Sequence, residues 1–136
     1  MNAHSVLMEF ARGGDGAYAR AFQHLSDDAL DRACILYVDV SFEESLRKNR
    51  RRFRPGQEDS VLYHSLEDAK MEGYYRTGDW QDLTGGRDEG YLTIRGRRVP
   101  FAVFHNEPEK TLDPALLGPA LRQATGTLMR LFKPQG

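Results

Sequence analysis

The sequence predicts an α/β fold built on a mainly parallel sheet, and three observations predict it. Residues 5–11 (SVLMEFA) and 34–40 (CILYVDV) are short runs, apolar almost throughout, as expected of strands buried on both faces. Stretches with helical starts and helical periodicity separate such runs, as crossovers between parallel strands require. The length of 136 residues suits one domain with one modest core, taken here as 1–136.

Taken in order, 5–11 reads as the first strand, and Gly13-Gly14 break it. The Ala-rich stretch from Ala17 to Leu25 suits a helix. Ser26 with Asp27 and Asp28 opens a second one, through about Ala33. The run 34–40 is β-branched and aromatic, hence a central strand. Cys34 at its start reads as a buried, inert thiol. Ser41, with Glu44 three residues on, has the capping-box pattern of a helix that Pro55-Gly56 ends. On that helix Phe42, Leu46, Asn49 and Phe53 form a core-facing stripe roughly 60° wide.

Residues 57–64 read as a connecting loop, and Ser65 with Asp68 as the start of another helix, 66–75. Gly78-Asp79-Trp80 marks a turn whose Asp and Trp cap or pack it. Residues 91–94 and 99–104 straddle Arg95-Gly96-Arg97-Arg98 as a hairpin or two sequential strands, with Pro100 favouring an edge position or a strand start. Asp113-Pro114 caps the closing helix, which runs to about Phe132. Its apolar face holds Leu116, Leu117, Ala120, Leu121, Ala124, Leu128, Leu131 and Phe132, and Gly118-Pro119 should kink or restart it.

Charge is unevenly placed. Residues 47–54 (RKNRRRFR) carry six positive charges, while the other 13 of the 19 basic residues face 20 acidic ones, for a formal net charge of −1. Arg47, Arg50, Arg51 and Arg54 share an arc of roughly 100°. Guanidinium groups grip phosphate oxygens bidentately, so this arc suits a polyphosphate, another phosphate ligand or a nucleic-acid backbone. Glu43 before Arg47 and Glu44 before Lys48 match part of the charge, as on an ordinary solvated face. A nucleic-acid partner fits less well, because the domain is slightly acidic and only Phe53 interrupts the patch.

At the end of the first strand, Glu9 and Arg12 would stand at the carboxyl rim of a parallel sheet, where open α/β folds bind ligands. Asp39 is a rim carboxylate by the same reasoning. His4, His24, His64 and His105 lack metal-ligand spacing, so no metal site is expected, and one cysteine excludes a disulfide framework. No apolar run approaches about 18 residues and no N-terminal signal is evident, pointing to a soluble, cytoplasmic protein without membrane contact.

Together VLMEFARGG (6–14), ILYVDVSFEESLRKNRRRF (35–53) and HSLEDAKMEGYYRTGDW (64–80) resemble the C-terminal half of P-loop kinase-like proteins of the nucleoside and nucleotide kinase group. The resemblance implies a partial three-layer P-loop-type sheet, mainly parallel, with helices on both faces and a helical lid in 47–80. It implies Glu9 as a Mg²⁺-water or general-base carboxylate with Arg12 beside it. Arg47, Arg50, Arg51 and Arg54 would be lid arginines, ATP and Mg²⁺ the cofactors, 99–104 the last strand, and 105–111 the adenine-contacting loop.

The phosphate loop G-x-x-x-x-G-K-[ST] is absent from the sequence, so the chain alone is expected to be inactive. In the family sheet another strand lies between those matching 5–11 and 34–40. Its loss leaves two apolar edges to be closed by direct pairing, by a second copy in a homodimer, or by the missing N-terminal half. The alternatives to an enzyme half are a polyanion- or nucleic-acid-binding module using helix 41–54, and a homodimeric assembly protein.

Overall fold

The computed structural model describes residues 4–10, 13–52 and 78–133, giving only the backbone of 49, 50 and 52. The element order is α1 (Ala17–Gln23), α2 (Asp27–Arg32), β1 (Ile35–Asp39), α3 (Phe42–Arg52), α4 (Trp80–Thr84), β2 (Glu89–Ile94), β3 (Arg97–His105) and α5 (Pro114–Leu131). The fold is mixed α/β around an open three-stranded sheet in the order β1-β3-β2. The expected loop 57–64 and helix 66–75 lie outside the described residues.

The sheet is not mainly parallel. β1 runs parallel to β3, from Ile35↔Phe101 to Asp39↔His105, and β2 runs antiparallel to β3. The reversal comes from Arg95-Gly96, both at positive φ (52° and 80°), the type I′ geometry that suits the twist of a tight hairpin. Arg97 and Arg98, expected in the turn, belong to β3.

Pro100 sits in the central strand, not at an edge. The Val103 amide donates to the Asp88 carbonyl at 2.8 Å, so odd-numbered amides of β3 face β2 and even-numbered ones face β1. The nitrogen of Pro100 therefore points toward β1, whose pairing begins one residue later, at Phe101. No ladder bond is lost.

Over its described residues, 5–10, the expected strand 5–11 does not form. Residues 4–10 lie outside any strand and are exposed, Leu7 at 96%. A strand is stable only beside another strand, and among the described residues none pairs with this segment. Cys34, expected buried, is exposed because it precedes β1 on an edge of the sheet.

Alternation along the strands divides the packing. Trp80 stacks on Tyr37 at 4.1 Å and 6°, and meets Phe101 edge-on at 5.6 Å. With Phe22 and Leu30 these form the core on the face covered by α1, α2 and α4. On the other face Tyr91 donates its hydroxyl to the Leu131 carbonyl at 2.7 Å, tying α5 to β2, and Ala124 is buried. Leu116, assigned to the inner face of α5, is exposed. Pro119 does not divide α5, which runs unbroken through it, and both it and Ala115, the residue four positions back, face solvent.

Caps expected from Ser26 and Asp113 form, Ser26 Oγ accepting from the Ala29 amide at 3.1 Å and Asp113 Oδ1 from that of Ala115 at 2.9 Å. α1 has no side-chain cap on its own N-cap residue, Gly16. Buried Asp79 serves instead, its two oxygens accepting from the amides of Tyr18 and Ala19, each at 2.9 Å. Replacing it, Asp79→Ala, should lower unfolding free energy by about 1–2 kcal/mol in urea titrations, with Asp79→Asn retaining part of the difference.

Candidate functional site

Parallel pairing places the ends of β1 and β3 side by side, and the segments leaving them build one rim. The Asn106 amide extends the ladder by donating to the Asp39 carbonyl at 3.0 Å. From β1 the chain turns at Ser41 into α3; from β3 it enters the acidic loop 106–111 (NEPEKT). Ser41 Oγ accepts from the Glu44 amide at 3.1 Å, as the capping box requires. The reciprocal bond does not come from Glu44. Glu107 supplies it from the other segment, accepting from the Ser41 amide at 2.9 Å and its hydroxyl at 3.2 Å.

Glu44 is engaged by Arg47, which donates to it through Nε at 2.9 Å and Nη2 at 2.5 Å. That hydrogen bond holds the Glu44 carboxyl below its ordinary pKa. A second acid from the loop gathers the rest of the basic face. Glu109 lies 3.4 Å from Arg47 Nη2, 3.6 Å from Lys48 Nζ and 3.3 Å from Arg51 Nη2. Burial works against its ionisation, but the bonds from Arg51 and Thr111 and the charge of Lys48 outweigh it and lower the Glu109 pKa. The pairs expected within α3, Glu43 with Arg47 and Glu44 with Lys48, are replaced by these. Arg47 and Arg51 stay 52% and 47% exposed, open to a further ligand.

The third group is a histidine between two carboxylates. His105 Nδ1 lies 3.1 Å from Asp39 and Nε2 lies 2.9 Å from Asp88. Hydrogen bonding to Asp88 raises the His105 pKa first, against a burial penalty, and Asp39 adds to the rise. With an acid at each nitrogen the imidazolium is favoured, and the ring fastens β1, β3 and the start of β2 together. It is thus a positioning group, without a free nitrogen to act as base. Lys110 Nζ donates to the carbonyls of His105 and Pro108 at 2.7 and 3.3 Å. Beside it a shallow cleft of about 230 Å³ lies between the sheet and α5, with Gln123 and Thr127 on its helical wall.

The sequence-derived residues fare unequally. Asp39 stands at the rim, tied to His105, and Arg47 and Arg51 flank the same rim on α3. Glu9 lies on the exposed segment 4–10 and joins no cluster of this rim. Arg12 and Arg54 fall outside the described residues, as does the side chain of Arg50. Among the described residues no group of three metal-ligating side chains occurs, and no helix is long and apolar enough to cross a membrane. Sequence reasoning missed His105, Asp88, Glu107 and Glu109. Of these only His105 carried a signal, as the polar residue ending an apolar strand, the same signal that marked Asp39.

The paired carboxylates set a pH dependence. A group whose pKa is higher folded than unfolded stabilises the fold below its unfolded pKa, and that contribution fades as pH rises through the folded value. His105 should thus titrate by NMR above its ordinary 6.5. Asp88→Asn should lower that midpoint more than Asp39→Asn, and the urea midpoint should fall above pH 6.5 in the native chain but less in His105→Gln.

Comparison with protein-family models, with curated proteins and with solved structures finds no match for this chain.

Proposed function

We propose that this chain is the lid-and-C-terminal half of an ATP-dependent, kinase-like phosphotransferase, and that its own task is to hold phosphate with the arginines of α3. One observation carries the reading. α3 leaves directly from the carboxyl end of β1, beside parallel β3, and turns the half-exposed Arg47 and Arg51 to the rim where α/β sheets bind ligands. A mere solvated helix has no need of that position. The pairing of 35–39 with 101–105, with 4–10 left unpaired, also suits a sheet whose missing strand would lie between those segments.

The described residues fit phosphate and not a complete ATP·Mg²⁺ site. They offer cations, yet no three-ligand metal group, and the sequence has no phosphate-cradling loop. For phosphoryl transfer, positioning and charge stabilisation are nearly all of catalysis, so no transfer step is assigned to this chain alone. Glu9, Arg12, Arg50 and Arg54 keep the roles the resemblance implies, as part of the proposal. A nucleic-acid backbone is the less favoured ligand, because the sequence is slightly acidic overall and only Phe53 interrupts its basic run.

The purified chain should bind tripolyphosphate in calorimetry without hydrolysing ATP. Arg47→Gln and Arg51→Gln should each weaken binding roughly three- to tenfold, the worth of one partly exposed charge pair. ATP turnover by the chain, or affinity indifferent to both substitutions, would sink the reading.

A second reading, self-assembly, is favoured by the outer edge of β1. Among the described residues nothing pairs with that edge, and Val38 beside it is 53% exposed. Sedimentation should then show a concentration-dependent dimer that Val38→Lys weakens. A monomer at all concentrations would exclude it.

A further inference from the structure

Glu109 occupies the place an anionic ligand of the arginine helix would take. Both its oxygens accept from Arg51 Nη2 at 3.3 Å, one lies 3.4 Å from Arg47 Nη2 and the other 3.6 Å from Lys48 Nζ. Thr111 Oγ1 completes the set at 3.1 Å. Three cations from about one turn of helix converge on one carboxylate. The contacts are long beside the ~2.7–2.9 Å of a strong charge-assisted bond, and long beside Arg47's own bonds to Glu44, at 2.5 and 2.9 Å. Glu109 is held by many weak contacts, which a ligand can replace.

The loop that presents Glu109 is fixed independently of it. Buried Asn106 accepts from the Lys110 amide at 2.8 Å, and Glu107 is bound to the start of α3 through Ser41. The carboxylate can therefore swing aside while its backbone stays, and it remains tethered close to the cations it left. Such a tether gives it a high effective concentration, so a free anion must outcompete it.

Resting on the phosphate-binding reading above, we propose that Glu109 is a built-in competitor at the arginine helix, and that a free or terminal phosphate group binds by taking its place on Arg47, Lys48 and Arg51. The contact sets a threshold. An ordinary carboxylate in solution brings the same single charge as Glu109 and gains nothing by exchange. A phosphate group brings three acceptor oxygens and about −1.5 to −2 of charge, enough to serve the three cations at once.

Displacement leaves a signature distinct from simple charge repulsion. A competitor that must leave costs every ligand the same free energy, so its removal strengthens all of them by one common factor. A bystander charge instead repels in proportion to the ligand's charge. The test measures affinities of inorganic phosphate and tripolyphosphate, at equal ionic strength, for the native chain, Glu109→Gln and Glu109→Ala. Both variants should bind both probes roughly three- to tenfold tighter, with the same factor for each probe. In the native chain, saturating tripolyphosphate should shift the side-chain carboxyl ¹³C resonance of Glu109, a readout that needs no variant. A gain that grows with probe charge, no gain, or an unmoved Glu109 resonance would each overturn the proposal. If Arg47→Gln and Arg51→Gln leave phosphate affinity unchanged, the underlying phosphate reading falls first and this one with it.

Discussion

Everything at the rim depends on the parallel pairing of β1 with β3. It joins residues more than sixty positions apart, so its closure entropy is borne by non-local contacts. Those contacts are available because β3 is the most buried element: Val99 and Phe101 have no exposed surface and Ala102 almost none. Trp80 locks the pair by lying flat on Tyr37 of β1 and edge-on to Phe101 of β3. Once the register sets Asp39 beside His105, the start of α3 and the acidic loop are neighbours by necessity. Glu107 can then cap the helix and Glu109 can reach its cations.

The acids of this chain divide by what they hold. Asp79, Glu107 and Asp113 accept backbone amides at helix starts, where those amides have no partner inside the helix. Asp27 and Asp31 bind Arg95 and Arg97, fastening α2 to the hairpin, and Glu89 pairs with Arg130 of α5. On α3, among the described residues, Arg47, Lys48 and Arg51 gather on one carboxylate of the loop, Glu109. The near-neutral total charge is thus not evenly spread: Arg95, Arg97 and Arg130 are committed to acids that fasten the fold, while Arg47, Lys48 and Arg51 gather at the rim.

What the sequence made legible is local. Ser26, Ser41 and Asp113 announced their helices because a cap needs only residues three or fewer positions away. The run 35–39 was legible as a strand from its β-branched and aromatic content. The run 5–11, apolar almost throughout, misled over its described residues, because a strand is completed by a neighbour that composition does not name. Pro100 misled for a related reason, since whether its missing amide matters depends on where β1 begins. At the site, Arg47 and Arg51 followed from helical spacing, and Asp39 from its place at a strand end. Glu107 and Glu109 were illegible because NEPEKT gains its meaning only when β1 and β3 pair.

That division bears on how the basic helix should be understood. An arginine cluster judged by spacing alone is balanced against acids on its own helix, and here that balance misassigned both pairs. The structure pairs Arg47 with Glu44 and brings a second carboxylate, Glu109, from the far side of the sheet pairing, on a segment two residues from the residue that caps the helix. The same loop therefore starts the helix through Glu107 and occupies its cations through Glu109. Placing this counter-charge on the element that fixes the helix means that Glu109 reaches Arg47, Lys48 and Arg51 only when the β1–β3 register is correct. Glu109 and these three cations are neighbours only through that fold, which ties their electrostatics to the same pairing that builds the rim.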